Sequence, residues 1–220
     1  MTQNPFAPKF DELPGSIPVF PLGSVLLLPH GQLPLNIFEP RYIQMIDDAL
    51  ASHKMIGMIQ PKDDADKPAL SALGCAGKII DYSETADGRY HITLSGISRF
   101  RVAEEISATT LYRQIRAQWD DFSGDVVSQG CLDLDRDKLS AMLKDYFAME
   151  GLSCDWSRID QSSDQKLITA LSMICPFDSK EKQALLEACD CHKRADLFLQ
   201  MLEMNLKCKT ASEGSSGKTH

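Results

Sequence analysis

Short apolar runs separated by proline and glycine open the chain. Between Ile17 and Phe38 six such residues interrupt the apolar runs, namely Pro18, Pro21, Gly23, Pro29, Gly31 and Pro34. Runs of this length indicate strands rather than a helix, because proline removes a backbone donor and disrupts helical hydrogen bonds. The sequence therefore predicts a turn-rich β-region at the start of the fold.

A helix and a further strand follow this region. Pro40 suits the first position of a helix, and apolar residues recur at helical spacing beyond it. This pattern predicts a helix over about Pro40–Ser52. The apolar residues 55–60 are typical of a short strand, and the charged segment between Pro61 and Pro68 is predicted to be an exposed loop.

A β-hairpin is predicted around Asp87-Gly88, because a type I′ turn needs positive φ at both central residues and Asp-Gly adopts it at low cost. In the second strand of this hairpin the apolar alternation changes phase around Gly96, which predicts a bulge or bend at Gly96 or Ser98. Another strand covers residues 111–119, with Leu111, Ile115, Ala117 and Trp119 as the inward-facing candidates. Six or seven strands are thus expected before residue 120.

The spacing of apolar residues becomes helical after about residue 120. Four helices are predicted. The first has the apolar face Leu139, Met142, Leu143, Tyr146 and Phe147, and the second has Leu167, Ile168, Leu171 and Ile174. The third is capped by Asp178 and Glu181 and ends near Cys189, and the fourth has the apolar face Ala195, Phe198, Leu199, Leu202 and Leu206. The predicted fold class is α+β. The predicted divisions are an extension at 1–14, a β-rich subdomain at 15–122, a helical bundle at 123–208 and a disordered tail at 209–220.

The charge balance argues against nucleic acid as a partner. The chain has a net charge of −8 and an isoelectric point near 5.1. Its acidity is evenly distributed, with 11 basic and 16 acidic residues before Gly130 and 12 and 15 after it. Phosphate binding requires a basic surface, which neither half provides.

Cysteine usage and hydropathy suggest a cytoplasmic protein. Seven cysteines are an odd number, and no secretory signal precedes them, so we expect reduced thiols. The longest apolar run near the start, Val25–Leu28, is far shorter than the roughly 20 residues that span a bilayer. No membrane association is expected.

The chemical motifs in the sequence nominate no catalytic or metal-binding residue and no cofactor. The segment GSSGKT at 214–219 looks like the end of a phosphate-binding loop, but Ser212 stands where that pattern needs glycine. Cys189, Cys191 and His192 form a CxCH cluster without a second ligand pair, so buried or partly exposed thiols are the preferred interpretation. Neither GxSxG nor HExxH occurs, so a hydrolytic site would have to be formed by residues scattered along the sequence. This alternative stays open.

Four segments together resemble a known family. They are IPVFPLG at 17–23, LPLNIFEPRY at 33–42, DGRYHITLSGISRFRV at 87–102 and EKQALLEACDCHKRADLFLQML at 181–202. These segments resemble the amino-terminal substrate-binding domain of Lon proteases, and Pro-Leu-Gly at 21–23 is similar to its short stand-alone bacterial subgroup. The resemblance implies a PUA-like pseudo-barrel followed by a helical bundle, in a chain that lacks the ATPase and peptidase domains.

The resemblance also implies a function. It indicates a non-enzymatic, ATP-independent module that binds unfolded or exposed polypeptide segments, as an adaptor or regulator in protein quality control alongside a separate protease or ATPase. RNA or small-ligand binding by a PUA-like fold, and a remnant peptidase, are the alternatives. Oligomeric state and binding residues stay unassigned.

The family signature lies at five residues, Glu39, Arg41, Tyr42, Arg99 and Phe100. These residues could line a peptide groove. The preferred interpretation is structural: Glu39 favours the positive end of the helix, and the two arginines join helix to sheet by charge-assisted hydrogen bonds. On that interpretation, Arg41→Ala lowers the melting temperature by several degrees.

Overall fold

The computed structural model describes residues 8–127 and 133–215. The strands are β1 Ser16–Pro21, β2 Gln32–Ile37, β3 Met55–Pro61, β4 Leu70–Glu84, β5 Tyr90–Ile106 and β6 Arg113–Gln118. The helices are α1 Pro40–Leu50, α2 Arg136–Glu150, α3 Trp156–Gln161, α4 Asp164–Ile174, α5 Ser179–Glu187 and α6 Cys191–Ser215, with 3-10 segments at Phe10–Glu12 and Asp120–Val126. The fold is α+β, as predicted.

The chain divides into two compact units. Among the described residues, the first unit takes those of Met1–Gln129 together with Thr169–Glu187, and the second takes those of Gly130–Ile168 and of Ala188–His220. This division differs from the predicted boundary near residue 122, because α5 and the end of α4 belong with the strands. Apolar spacing reveals that these segments are amphipathic, but it does not reveal what they pack against.

The six strands of the first unit form one mixed sheet. Strands β5, β4, β3, β1 and β6 follow one another, and β6 pairs again with β5, so five strands close into a ring that is not a regular barrel. Strand β2 pairs with the first half of β5 only. The β1–β3 pair is parallel and the other pairs are antiparallel. The pseudo-barrel expectation is confirmed in this irregular form.

The interior of the ring is apolar. The buried cluster consists of Ile17, Val19, Met55, Ile59, Ala76, Ile97, Phe100, Ile115, Ala117 and Trp119. Glycine creates room for Phe100, because a Cβ at Gly57 or Gly74 would collide with its ring. The predicted inward residues of β6 are therefore confirmed from Ile115 onward.

The predicted bulge in β5 is confirmed and falls at Ile97. Ala76 pairs with Ser98 and Gly77 pairs with Gly96, so Ile97 is the extra residue on β5. A bulge bends its strand and increases the local twist, which helps β5 to serve two different partners along its length.

The hairpin between β4 and β5 is confirmed, but its predicted type I′ turn is wrong. Only Gly88 of the Asp-Gly pair has positive φ, at 77°. The amide of Gly88 donates to the carbonyl of Thr85 at 2.9 Å, and the amide of Thr85 donates to the carbonyl of Arg89 at 2.9 Å. The loop thus has three residues and ends on a left-handed glycine, which is the next most common solution for hairpins.

Helix α1 matches its prediction to within two residues, and α5 begins as predicted. The backbone amide of Glu181 donates to the Asp178 carboxylate at 2.8 Å, and the amide of Asp178 donates to the Glu181 carboxylate at 2.9 Å. This reciprocal pair is the capping box expected from the sequence. Ile174, which was predicted to face inward, is instead exposed at the end of α4.

The second unit contains α2, α3, the start of α4 and α6. The buried face of α2 contains Leu139, Leu143, Tyr146 and Phe147, as predicted except that Met142 is half-buried. Arg136 joins the helices of this unit through an ion pair with Asp164 and a 3.1 Å hydrogen bond to the Ile159 carbonyl. The six-residue α3 is too short to produce a helical period and was not predicted.

The long helix α6 buries Ala195, Phe198 and Leu202, as predicted, whereas Leu199 and Leu206 of the predicted face are half-buried. It extends to Ser215 and so includes residues that the polar composition predicts to be a tail. Residues 216–220 lie outside the described part of the chain.

Candidate functional site

A groove opens at one end of the strand ring in the first unit. It has a volume of about 550 Å³ and is lined by Pro21, by Arg41 and Tyr42 at the start of α1, and by most of the segments 61–68 and 105–113. The β3–β4 and β5–β6 loops meet here because β4 runs antiparallel to β3 and to β5. The volume is in the range of pockets that bind ligands.

The β3–β4 loop is held in a defined shape. At its base the amide of Lys62 donates to the carbonyl of Ala69 at 2.8 Å. The carboxylate of Asp63 accepts hydrogen bonds from the amides of Ala65 at 3.1 Å and Ala69 at 3.4 Å. The guanidinium of Arg113 donates to the carbonyl of Pro68 at 2.7 Å. These bonds fix one wall of the groove.

An ion pair connects the two strands below the opposite wall. Arg113 on β6 donates from Nε and Nη2 to the two carboxylate oxygens of Glu105 on β5, at 2.9 and 2.6 Å. Lys67 approaches the same carboxylate at 3.6 Å. The hydrogen bond from Arg113 lowers the pKa of Glu105 below its ordinary value. Two cations of the groove therefore share one carboxylate.

Arg41 does not join helix to sheet, so that part of the structural interpretation is wrong. Its guanidinium pairs with Glu39, two residues earlier, at 2.7 Å, and lies over the ring of Tyr42 at 4.6 Å from the centroid. The side chains of Arg41 and Glu39 are 49% and 42% exposed. Glu39 makes no side-chain capping bond to α1. Exposed pairs of this kind contribute about 0–1 kcal/mol.

Tyr42 forms the floor between Arg41 and the core. It is buried, and its ring contacts that of Phe20, with centroids 4.0 Å apart. Burial raises the pKa of the Tyr42 phenol above its ordinary value. Tyr42 therefore supports the groove mainly by packing.

Leu111 is the most exposed large apolar residue of the groove and was wrongly predicted to face inward. Its side chain is 65% exposed, because β6 begins only at Arg113 and Leu111 precedes the strand alternation. Its backbone amide donates to the side-chain oxygen of Gln44 at 3.1 Å. The neighbouring Tyr112 is buried and donates its hydroxyl to Asp48 at 2.8 Å, and burial with this bond raises its pKa to about 12.

Arg99 and Phe100, the other signature residues, have structural positions. Arg99 is buried on β5, where Nε and Nη2 each donate to the carboxylate of Asp125 at 2.8 Å. Its Nη1 donates to the carbonyl of Leu186 on α5 at 3.2 Å. Phe100 is fully buried in the ring. The predicted structural role is correct for Arg99, which joins the sheet to α5 and to the segment Asp120–Val126.

A cluster of Ser24, Ser179 and Lys182 lies apart from the groove. The two serine hydroxyls are 3.2 Å apart, and the Lys182 ammonium donates to the carbonyls of Ser24 at 2.8 Å and Met173 at 3.2 Å. Burial lowers the pKa of Lys182 below its ordinary value. The bonds described for this ammonium go to carbonyl oxygens, so its geometry serves to hold the 22–25 loop against α5.

The cysteine and histidine residues of the CxCH motif are not assembled into a metal site. Cys191 is half-buried at the start of α6, whereas Cys189 and His192 are exposed. Within residues 8–127 and 133–215, no group of three or more His, Cys, Asp or Glu side chains is placed to hold a metal ion. The motif GSSGKT falls mostly outside the described part of the chain.

Most of the groove was not predicted from the sequence. The charged segment between Pro61 and Pro68 was predicted to be an exposed loop, but no functional role was predicted for it. Residues 105–113, which form the other part of the groove, are distant from that loop in sequence. One signal was available: Leu111 follows Ser107-Ala108-Thr109-Thr110, a polar run in which an isolated large apolar residue is more consistent with a loop than with a strand.

A sequence model of the ATP-dependent protease La (LON) substrate-binding domain matches residues 16–204. The chain therefore belongs to the Lon substrate-binding domain family. Lon protease 2 of Myxococcus xanthus is 25% identical to it, over 95% of this chain and 27% of that protein. Lon protease 2 of Sorangium cellulosum is 26% identical, over 87% of this chain and 25% of that protein. The chain spans about a quarter of the length of these relatives.

Solved structures agree with this family in fold. The Lon N-terminal domain protein from Xanthomonas campestris superposes with a TM-score of 0.57 at 24% identity, covering 84% of this chain and 97% of that one. The N-terminal domain of Mycobacterium avium complex Lon protease gives a TM-score of 0.59 at 18% identity, covering 86% and 98%. Among the described residues, every helix falls short of the length or apolar character needed to cross a bilayer.

Proposed function

We propose that this chain binds unfolded or exposed polypeptide segments in the groove and carries out no catalysis of its own. The observation that carries the proposal is the pairing of an exposed apolar side chain, Leu111, with an exposed signature residue, Arg41, on the walls of one groove. Neither exposed side chain is expected to contribute more than about 1 kcal/mol to fold stability. The family's description as a substrate-binding domain agrees with this proposal.

The free edge of β2 is a second place where a polypeptide could bind, by adding a strand to the sheet. In the described structure β2 is the terminal strand of the sheet order. It is only six residues long, however, and Pro34 at its centre has no amide to donate. Short edge strands that contain proline disfavour the addition of another strand. The groove is therefore the preferred site.

The biological role that we propose is that of an adaptor or regulator in protein quality control, acting with a separate protease or ATPase. A bound segment would remain intact, because the chain supplies recognition alone. Cys154, Cys175, Cys191 and Cys208 are free thiols, which suits a reducing compartment such as the cytoplasm.

The groove can be tested by removing both exposed side chains. The double variant Arg41→Ala/Leu111→Ser is expected to bind a fluorescein-labelled, permanently unfolded polypeptide at least about fivefold more weakly in an anisotropy titration. Its melting temperature is expected to fall by less than about 3 °C, because both side chains are exposed and the Arg41–Glu39 pair contributes little.

A matched control is available elsewhere in the same unit. Ile80 is an exposed apolar residue on β4, and Arg89 forms an exposed pair with Asp87 two residues away in sequence. The variant Arg89→Ala/Ile80→Ser should bind the polypeptide like the wild type. Equal weakening in both variants would contradict the groove as the site. A labelled RNA of similar size, titrated in parallel, is expected to show no saturable binding at a net charge of −8.

A further inference from the structure

The charges around the groove are not balanced. Three cations line it, Arg41, Lys67 and Arg113, against four carboxylates, Asp63, Asp64, Asp66 and Glu105. Each cation has a carboxylate partner: Arg41 pairs with Glu39, and both Lys67 and Arg113 pair with Glu105. Glu105 balances only one of its two cations, but with Glu39 included five carboxylates face three cations, so the net charge around the groove is −2.

The carboxylates divide into two groups. Glu105 serves its two cations, and Asp63 accepts the amides of Ala65 and Ala69 that shape the loop. Asp64 and Asp66 are exposed, and none of the contacts found in the described structure engages their side chains. They therefore contribute two uncompensated negative charges to a wall whose backbone is held in place.

This wall faces the same groove as the exposed Leu111. A segment that lies along the groove would therefore meet both an apolar anchor and a negative wall. A Lys or Arg side chain suits such a surface, because its apolar stem packs against carbon while its charged head remains near solvent and the carboxylates.

We propose that the groove selects polypeptide segments in which Lys or Arg adjoins an apolar residue, with Asp64 and Asp66 setting the preference for positive charge and Leu111 contacting the apolar residue. The proposal rests on the proposed function and deepens it by naming the class of segment. It differs from a general attraction to an acidic protein, because it assigns the preference to two particular carboxylates.

The test uses three labelled peptides of about 15 residues with the same apolar residues, in which the charged positions are Lys, Gln or Glu. At low salt the Lys peptide is expected to bind the full chain about tenfold or more tightly than the Glu peptide, with the Gln peptide between them. This difference should shrink as salt is raised, because the wall is exposed to solvent. In Asp64→Asn/Asp66→Asn the tenfold difference is expected to fall to about threefold or less.

The control removes the same charge elsewhere. Asp81→Asn/Glu84→Gln takes two exposed carboxylates from β4, outside the groove, and should retain the full preference for the Lys peptide. Equal binding of the three peptides overturns the inference but leaves the proposed function standing. A preference for the Lys peptide that survives in Asp64→Asn/Asp66→Asn has the same meaning. If the control variant loses the preference to the same extent, net charge is responsible and the inference fails. If no peptide and no unfolded polypeptide binds, the proposed function fails with it.

Discussion

Replacing Arg99 with methionine is expected to lower the free energy of unfolding by about 3–5 kcal/mol. The side chains of Arg99 and Asp125 are only 6% and 11% exposed, and three nitrogens of Arg99, including its backbone amide, donate to the Asp125 carboxylate. Methionine preserves much of the arginine stem but leaves the Asp125 carboxylate buried without a counter-charge. It also removes the donor to the Leu186 carbonyl, which joins β5 to α5.

A nearby arginine gives a close control. Arg101 lies two residues further along β5 and pairs with Asp121 of the same 3-10 segment at 3.2 Å, but its side chain is 47% exposed and that of Asp121 is 64% exposed. Arg101→Met should cost no more than about 1 kcal/mol. Urea unfolding of both variants, followed by circular dichroism and tryptophan fluorescence, measures the two losses. Similar losses in the two variants would show that burial does not determine how much the Arg99–Asp125 pair contributes to stability.

Gly96→Ala is expected to destabilise the first unit by about 3 kcal/mol or more and to lower its melting temperature by roughly 10 °C. A Cβ at residue 96 would collide with the backbone carbonyl of Leu28, and backbone cannot move aside as a side chain can. Gly96 also exchanges hydrogen bonds with this loop: its carbonyl accepts from His30 at 2.9 Å and its amide donates to Gly31 at 2.8 Å. Any shift that relieves the collision strains both bonds.

Gly15→Ala is the control for this substitution. No atom lies within 4 Å of a Cβ placed on Gly15, and its φ is not positive, so the change should stay within about 0.5 kcal/mol. Calorimetry or thermal circular dichroism compares the two variants. Insolubility of Gly96→Ala beside a soluble Gly15→Ala counts as the large effect, whereas melting temperatures within about 2 °C of each other would refute the close approach at Gly96.

Local signals in the sequence predicted local structure well. The capping box of Asp178 and Glu181, the start of α1 at Pro40 and the bulge at Ile97 each depend on residues within a few positions of one another. The turn at Asp87-Gly88 shows the limit of such signals, because the same dipeptide suits more than one hairpin loop. The surrounding strand register decides which loop forms.

The pattern of apolar and polar residues did not predict contacts between residues that are distant in sequence. The two signature arginines look alike in sequence, yet Arg99 is buried against Asp125 and Leu186 while Arg41 is exposed on the groove. Their partners decide the difference, and Arg99 finds its partners 26 and 87 residues away. The groove is likewise formed by two loops that meet only when the ring of strands closes, so neither loop alone indicated a site.

The proposed groove is tested most directly by mapping where polypeptide binds. Backbone amide signals of the isotope-labelled chain can be followed by NMR while an unlabelled, permanently unfolded polypeptide is added. Binding in the groove predicts that the largest shifts fall on residues 62–68 and 105–113 and on Arg41 and Tyr42. Shifts confined to β2 or to the β4–β5 hairpin, with the groove unchanged, would contradict it.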